Sequence, residues 1–166
     1  APHVFDRGLT NIFFAQPAPG AEQAIPFADY ILGLPEADRP KTFVVISADD
    51  PFNLGVVENA EALLVAGGME LLLKEVYPPD TKDFSSIAAK VADLDPDLVV
   101  GGTIFEDSVG QINAYREAGY QPRGAFFTTG PSLPKEFREA LGDATEGVFS
   151  AISWYEESTT ETNPEF

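Results

Sequence analysis

The sequence predicts an α/β fold, a three-layer α/β/α sandwich around a mostly parallel sheet. Two strand–helix–strand units follow each other between residues 41 and 103. Phe43 to Ile46 is apolar without alternation, as expected of a strand that is covered on both faces. Parallel neighbours need long crossovers, usually helical, and such sheets bind ligands outside the carboxyl ends of their strands. We therefore expect the functional residues in the loops that follow strands.

The first segments of the chain open a regular alternation of strands and helices. A chain of 166 residues with 44% hydrophobic residues is long enough for one well-buried core and short for two. Residues 12–15 are predicted to form a short strand, and a helix-like segment at 21–34 is predicted to end near Gly33 and Pro35. Pro26 must either start the regular helix or kink it.

The next strand, residues 41–47, leads into a helix with clear boundary signals. Asp50 is a good N-cap, Pro51 suits the first helical position, and apolar residues form one face up to Gly67 and Gly68. A strand at 71–76 comes next. The helix that follows it is predicted to be capped by Asp83.

The remaining segments continue the pattern and complete six predicted strands and five helices. Residues 98–100 are predicted to form a short strand whose end is loosened by Gly101 and Gly102. Glu106 and Asp107 then place negative charge at the start of a helix that runs to about residue 119. A strand at 125–127, a helix at 133–141 and a strand at 147–153 follow. Residues 156–166 are acidic and lack apolar periodicity, so they are interpreted as a linker or a truncated tail.

Composition excludes several classes of function. With a net charge of −17 and only ten Lys and Arg residues, the chain cannot present a sustained basic face to nucleic acid or to anionic membranes. The lack of cysteine excludes thiolate catalysis, cysteine metal sites and disulfides. There is no apolar run near 18 residues and no signal peptide at Ala1, so the chain is expected to be cytosolic, already processed or an excised piece.

Enzyme chemistry is difficult to build from these residues. His3 is the only histidine and lies outside every predicted loop of the sheet, where no partner would hold it as a base. The chain has no glycine-rich phosphate loop and no G-x-S-x-G elbow. We therefore predict no catalytic residue, no metal site and no cofactor.

One enzyme-like alternative rests on acidic residues after a strand. Residues 44–51 resemble the acidic first turn of a phosphorylated receiver domain, and residues 96–100 resemble the strand before its acceptor aspartate. Gly102 stands where that family has its acceptor, and the strand at 124–128 is not followed by a lysine near Thr129 or Gly130, where the family has one. Without a carboxylate nucleophile this alternative fails, and helix capping is the simpler explanation of Asp50.

A second resemblance covers nearly the whole chain. Its segments, in order, are residues 4–17, 42–55, 77–84, 95–102 and 116–120. The most specific is the string from Tyr77 to Phe84, a Pro-Pro turn before an Asp-capped helix. Together they resemble the second lobe of type I periplasmic binding proteins, the branched-chain amino-acid (Leu/Ile/Val) receptor family of ABC importers.

The resemblance implies a partner lobe and a transport function. Members have two α/β lobes that close around a small-molecule ligand by a hinge motion. Residues 1–155 would be the excised second lobe and residues 156–166 the tail. The expected partners are the missing first lobe of the same polypeptide and an ABC permease, in a periplasmic or extracellular location with a lipid tether in some cells. The isolated lobe would carry half of a ligand site.

The resemblance also transfers ligand contacts to loops of this sequence. An aromatic residue after the second-lobe strand corresponds to Phe52, next to Asn53. A second aromatic corresponds to Phe105, although one extra residue makes Thr103 or Ile104 an alternative. Core packing is the competing interpretation of both phenylalanines.

A third loop departs from the amino-acid receptors. Where they carry an acid that holds the ligand ammonium, this chain has Thr128 and Thr129, whose hydroxyls could also serve the local backbone. A buried ammonium without a carboxylate is costly. Either Glu106 or Asp107 replaces that acid, or the ligand is an apolar or aromatic carboxylate whose charge meets a helix N-terminus.

Two classes of function remain open at this point. The first is the solute receptor of an importer, which the string at residues 77–84 favours. The alternative is a ligand-sensing domain of the same fold in a regulator or signalling receptor, because a fold alone does not determine function.

Overall fold

A computed structural model describes residues 7–11 and 19–152. Residues Gly20–Ala151 form one compact unit. The other unit comprises Ala1–Pro19 and Ile152–Phe166, and its described residues include a turn at Arg7. The predictions for His3, residues 12–15, residues 153–155 and the tail lie outside the described residues.

The described chain contains a five-stranded sheet in which every pairing is parallel. The strands, in sequence order, are β1 (Thr42–Ala48), β2 (Glu70–Tyr77), β3 (Leu98–Gly102), β4 (Gly124–Phe127) and β5 (Val148–Phe149). Their spatial order is β2-β1-β3-β4-β5. The parallel sheet that was predicted from the unalternating apolar strands is confirmed.

Helices cover both faces of this sheet. They are α1 (Ile25–Gly33), α2 (Pro51–Ala66), α3 (Ser85–Leu94), α4 (Phe105–Glu117) and α5 (Pro134–Leu141), with 3-10 helices at Gly20–Ala24 and Gly142–Thr145. On one face α1 and α2 pack against Phe43 and Val45. On the other, α3, α4 and α5 pack against Val44 and Ile46. Burial of each such side chain contributes about 1.5–3 kcal/mol, which explains why β1 has no polar alternation.

Two helix starts follow from local chemistry. Pro26 lies in the first turn of α1, directly after a 3-10 helix, so it starts the regular helix and does not kink it. Asp50 is the N-cap of α2, as predicted, and its Oδ1 accepts hydrogen bonds of 3.0 Å from the backbone N–H groups of Phe52 and Asn53. Such a cap stabilises a helix by about 1 kcal/mol.

The cap predicted for the next helix is displaced by one residue. The N-cap of α3 is Phe84, and Asp83 before it accepts a 2.9 Å hydrogen bond from the backbone of Ser85. Phe84 is buried with its ring edge-to-face against Tyr77, at a centroid distance of 5.1 Å. Packing of this ring draws Phe84 out of the solvent, and the helix begins after it.

The prediction that Gly101 and Gly102 loosen the end of β3 was wrong. Both are buried, and both lie within the strand in register with β1. A Cβ on Gly101 would overlap the ring of Phe127, and one on Gly102 would overlap the hydroxyl of Ser47. The two glycines therefore allow close packing of the strand against its neighbours.

The last strand is also shorter than predicted, since β5 ends at Phe149 and residues 150–152 are not strand. None of the helices in the described range is long and apolar enough to span a membrane.

Candidate functional site

The order of the strands creates a switch point between β1 and β3. The chain leaves β1 through α2 towards one face of the sheet and leaves β3 through α4 towards the other. Connections that diverge in this way open a crevice outside the carboxyl ends of the strands, where open α/β sheets bind ligands. The loops predicted to carry function meet at this edge.

A buried polar network, here called the polar floor, joins the ends of three strands through Asn53, Thr103 and Thr128. The Thr128 hydroxyl accepts a 2.8 Å hydrogen bond from the backbone N–H of Thr103. It lies within hydrogen-bond reach of two acceptors, Asn53 Oδ1 and the Thr103 carbonyl oxygen. A hydroxyl carries one proton, so it donates to one of these acceptors at a time.

The side chain of Asn53 is held from both ends. Its amide nitrogen donates to Asp50 Oδ2, and Asp50 is in turn fixed as the cap of α2. Beside it, the Thr129 hydroxyl donates to the carbonyl oxygen of Thr103. Asn53, Thr103 and Thr128 are therefore preorganised by the protein itself, and Thr129, which is half-buried, is the most accessible of the predicted hydroxyl groups.

Three large apolar side chains follow the same strand ends as this floor and are exposed to solvent. Phe52, Ile104 and Leu133, here called the apolar rim, are 42%, 45% and 50% exposed. Phe52 lies in the first turn of α2, and the other two are the N-cap residues of α4 and α5. All three thus follow strands at the carboxyl edge. The Phe52 ring also rests against Gly20, where an added Cβ would lie 3.2 Å from the ring.

The structure separates the two alternatives for the second aromatic contact. Phe105 is half-buried and packs edge-to-face against Phe137 at a centroid distance of 6.2 Å, as part of the core. Ile104 is the exposed residue of this loop. Leu133 was not identified from the sequence; the signal that could have found it is an apolar residue at a helix N-cap, a position that usually holds a polar residue.

The acidic candidates also differ in position. Glu106 is exposed next to the rim, whereas Asp107 is only 2% exposed and its Oδ2 lies 3.0 Å from the hydroxyl of Tyr77. Burial raises the pKa of Asp107 above the usual range of aspartate. Glu106 is thus the acid of this pair that an external ligand could reach.

The helix starts offer a different kind of contact to an anion. Neither Ile104 nor Leu133 makes a side-chain capping hydrogen bond to the helix it begins. The backbone N–H groups in the first turns of α4 and α5 directly follow these two rim residues and receive no cap from their side chains. A ligand carboxylate could accept hydrogen bonds from them.

A cavity of about 240 Å³ lies elsewhere, against the 3-10 helix at Gly142–Thr145. Its walls include Tyr115, Tyr120 and Phe127. None of the predicted site residues lines it, and its walls also include Gln121, Pro122 and Gly147, which precede β4 and β5. Within residues 7–11 and 19–152, no group of His, Cys, Asp or Glu side chains is arranged to hold a metal ion.

A parallel α/β sandwich with a preorganised polar floor and an exposed apolar rim at its switch point has the architecture of a small-molecule binding lobe. The family model described as periplasmic binding protein matches residues 8–166. The chain belongs to this family, in its type I branch, as the resemblance implied.

Relatives and solved structures agree with this assignment. The chain is 28% identical over 159 residues to Leu/Ile/Val-binding protein homolog 7 of Brucella abortus, covering 90% of this chain and 39% of that protein. Homolog 8 of the same organism is 27% identical over 157 residues, at 91% and 39% coverage. The chain therefore spans about two fifths of the length of these relatives.

Two solved structures share the fold at low sequence identity. A branched-chain amino acid ABC transporter structure from Rhodospirillum rubrum matches with a TM-score of 0.73 and 20% identity, over 86% of this chain and 39% of that chain. A solute-binding protein of an ABC transporter from Rhodopseudomonas palustris, solved with benzoate, matches with a TM-score of 0.69 and 17% identity, at 88% and 39% coverage.

Proposed function

We propose that this chain is the second lobe of an extracytoplasmic solute receptor for an ABC importer. The ligand would be a branched-chain amino acid or a related small apolar or aromatic carboxylate, bound in the cleft between two lobes. The observation that carries the proposal is the polar floor inside an apolar rim at the switch point. A site of this kind, mostly apolar with a few fixed polar groups, is typical of small-ligand pockets.

The ligand classes share a chemistry that the carboxyl edge supports. Each has an apolar body, which Phe52, Ile104 and Leu133 could cover. Each also has a carboxylate, which could accept from helix N-terminal N–H groups, or from the Thr129 hydroxyl if it gives up its bond to the Thr103 carbonyl oxygen. The names of the relatives refer to Leu, Ile and Val. Two structural neighbours were solved in complex with benzoate and with 3,4-dihydroxybenzoic acid.

An ammonium group is present in amino-acid ligands and absent from aromatic carboxylates, so its binding partner distinguishes the two ligand classes. Thr128 and Thr129 supply no carboxylate, and the buried carboxyl of Asp107 already has Tyr77 as a partner. In this lobe Glu106 would hold an amino-acid ammonium, or the first lobe would supply the acid. An aromatic carboxylate needs neither group, because it has no ammonium to neutralise.

A role as a solute receptor implies a first lobe, a permease partner and an extracytoplasmic location. A first lobe of the same polypeptide would complete the cleft and close on the ligand, and the closed form would dock on an ABC permease. The location would be periplasmic or extracellular, with a lipid tether where no outer membrane retains the receptor.

Isothermal titration calorimetry of the full-length receptor tests the proposal. Leucine, isoleucine, valine and benzoate would be titrated into the wild type and into Phe52→Ala. We expect binding of one class and about tenfold weaker affinity in the variant, since one large apolar contact is lost. Val65→Ala, an exposed apolar residue near the far end of α2, is the control and should bind as the wild type does. Absence of binding to all four ligands would contradict the proposal.

Glu106→Gln then separates the ligand classes. If Glu106 holds an ammonium, the variant should lose affinity for an amino acid by tenfold or more while benzoate binding is unchanged. Unchanged affinity for a bound amino acid would place the acid in the first lobe.

A further inference from the structure

A network of buried, hydrogen-bonded side chains runs along α4 into the carboxyl edge of β3. The Tyr115 hydroxyl donates to Gln111 Oε1 at 3.1 Å, and Gln111 Nε2 donates to the Tyr77 hydroxyl at 3.2 Å. The Tyr77 oxygen lies 3.0 Å from Asp107 Oδ2 and 3.2 Å from the carbonyl oxygen of Gly102. All of these side chains are buried, and none belongs to the polar floor or the apolar rim.

Whether Asp107 is protonated decides which acceptor receives the hydrogen bond of the Tyr77 hydroxyl. Its hydroxyl has one proton and two acceptors in reach, Asp107 Oδ2 and the Gly102 carbonyl. While Asp107 is ionised, its charge makes it the stronger acceptor, so Tyr77 donates to it and not to Gly102. When Asp107 is protonated, it can donate to Tyr77, and the Tyr77 proton is then free to bond Gly102.

The Gly102 carbonyl is directly connected to the binding edge. Gly102 is the last residue of β3, and the next two residues are Thr103 of the polar floor and Ile104 of the apolar rim. A hydrogen bond from Tyr77 to this carbonyl fixes the point from which both residues extend.

We propose that Asp107 is a proton switch for the binding edge, whose protonation transfers the Tyr77 hydrogen bond to Gly102 and tightens the turn between β3 and α4. The proposal rests on the proposed function, because it takes this edge as the ligand site. Asp107 and Tyr77 are positioning residues, which act on the ligand through Thr103 and Ile104.

The charged and titratable groups around Asp107 oppose one another. Burial favours the protonated form and raises the pKa of Asp107, and the neighbouring Glu106 acts in the same direction. The Tyr77 hydrogen bond, the Ile104 backbone and Lys82 act the other way, but the pKa remains raised. Burial and Asp107 also raise the pKa of Tyr77, so its hydroxyl keeps its proton throughout.

Carbon-13 NMR of the full 166-residue chain tests the switch without a ligand. The Asp107 carboxyl and the Gly102 carbonyl would be followed during a pH titration. We expect both signals to move with one midpoint, above the ordinary aspartate value of about 3.9. A Gly102 signal that does not follow Asp107 would overturn the proposal.

Two variants make the assignment specific. In Tyr77→Phe the Gly102 signal should no longer follow Asp107. In Asp107→Asn the amide can donate to Tyr77 as the protonated acid does, so Gly102 should keep its low-pH position at every pH. Tyr30→Phe and Glu117→Gln, at exposed positions, are the matched controls and should keep the wild-type coupling. An Asp107→Asn chain with Gly102 in the high-pH position would also overturn the proposal.

Ligand titrations of the full-length receptor over the same pH range complete the test. Affinity should be about threefold to tenfold higher below the Asp107 midpoint, the equivalent of one net hydrogen bond, and Asp107→Asn should abolish this dependence. If leucine, isoleucine, valine and benzoate all fail to bind while the NMR coupling is intact, the proposed function fails and the switch in the chain stands. Affinity that does not change with pH, in a receptor that shows the coupling, overturns the switch as a control of binding.

Discussion

The two ends of the sheet join the same three strands with different chemistry. At the amino end, the Asp97 carboxylate accepts from the backbone of Lys41 and Thr42, before and in β1, and from the Arg123 guanidinium, before β4. At the carboxyl end, the neutral side chains of Asn53 and Thr128 make the corresponding connection.

The electrostatics of the two ends are opposite. Burial acts to raise the pKa of Asp97, but hydrogen bonds from the Lys41 and Thr42 backbone and from Arg123 outweigh it, so the pKa is lowered. At the carboxyl end the pKa of Asp107 is raised by burial. A partly solvated charge is suited to a purely structural link. Neutral groups are suited to an edge that a ligand and a second lobe would desolvate, because burying a charge there would be costly.

The largest effect on stability is expected for Thr128→Val. The substitution keeps the shape but leaves the buried Thr103 N–H and Asn53 Oδ1 without their partner, at a cost of roughly 2–4 kcal/mol. Urea denaturation measures the change. Thr129→Val, which removes one hydroxyl from a half-buried position, is the comparison and should cost about 1 kcal/mol. Equal stability of Thr128→Val and the wild type would show that the polar floor is not a structural link.

Asp97→Asn should weaken the amino end by about 1–2 kcal/mol at neutral pH, because a neutral amide is a poorer acceptor for the backbone N–H groups of Lys41 and Thr42. Asp93→Asn, at an exposed position on α3, is the control and should leave stability unchanged. The folded-state pKa of Asp97 is lowered, so its contribution is present above the unfolded pKa of about 3.9 and is lost as pH falls through the folded pKa. A wild type and an Asp97→Asn variant with the same acid denaturation curve would contradict this account.

Asp107→Asn should show the opposite pH behaviour. The folded-state pKa of Asp107 is raised, so the wild type loses stability as pH rises from the unfolded value towards the folded one. The variant has no proton to lose, and its stability relative to the wild type should therefore increase over that interval. Denaturant curves at a series of pH values give the change of unfolding free energy with pH that each aspartate contributes. If the Asp97 and Asp107 contributions changed with pH in the same direction, the contrast between the two ends would be lost.

The smallest effect on stability is expected at the apolar rim. Leu133→Ala removes a half-exposed side chain and should change the free energy of unfolding by less than about 1 kcal/mol. Its effect should appear instead in ligand affinity of the full-length receptor. Loss of stability comparable to that of Thr128→Val would show that Leu133 belongs to the core and not to a binding surface.

The sequence predicts those elements whose signals are local. Asp50 and Pro51 define the start of α2 by themselves, and the unalternating apolar residues of β1 indicate a strand covered on both faces. Gly101 and Gly102 were misread because their role depends on Phe127 and Ser47, which approach from neighbouring strands. Local sequence cannot distinguish a glycine that ends a strand from one that admits a neighbouring side chain.

The sequence predicted which loops form the candidate site, but not which residue of each loop faces the solvent. Phe52 was identified correctly as a residue of the carboxyl edge, and its contact with ligand stays a prediction. The choice between Ile104 and Phe105 depends on the ring of Phe137, about thirty residues away, which draws Phe105 into the core. Likewise, the partner of the buried Asp107 is Tyr77, the last residue of β2. Such pairings are set by the packed fold.

The central claim is that the ligand binds at the carboxyl end of the sheet. Amide chemical shifts of the isotope-labelled full-length receptor, recorded with and without leucine and then benzoate, test it most directly. The account predicts the largest shifts in this lobe at residues 52–53, 103–105 and 128–130. Largest shifts around Lys41, Asp97 and Arg123, or around the cavity beside Tyr120, with an unchanged carboxyl edge, would contradict it.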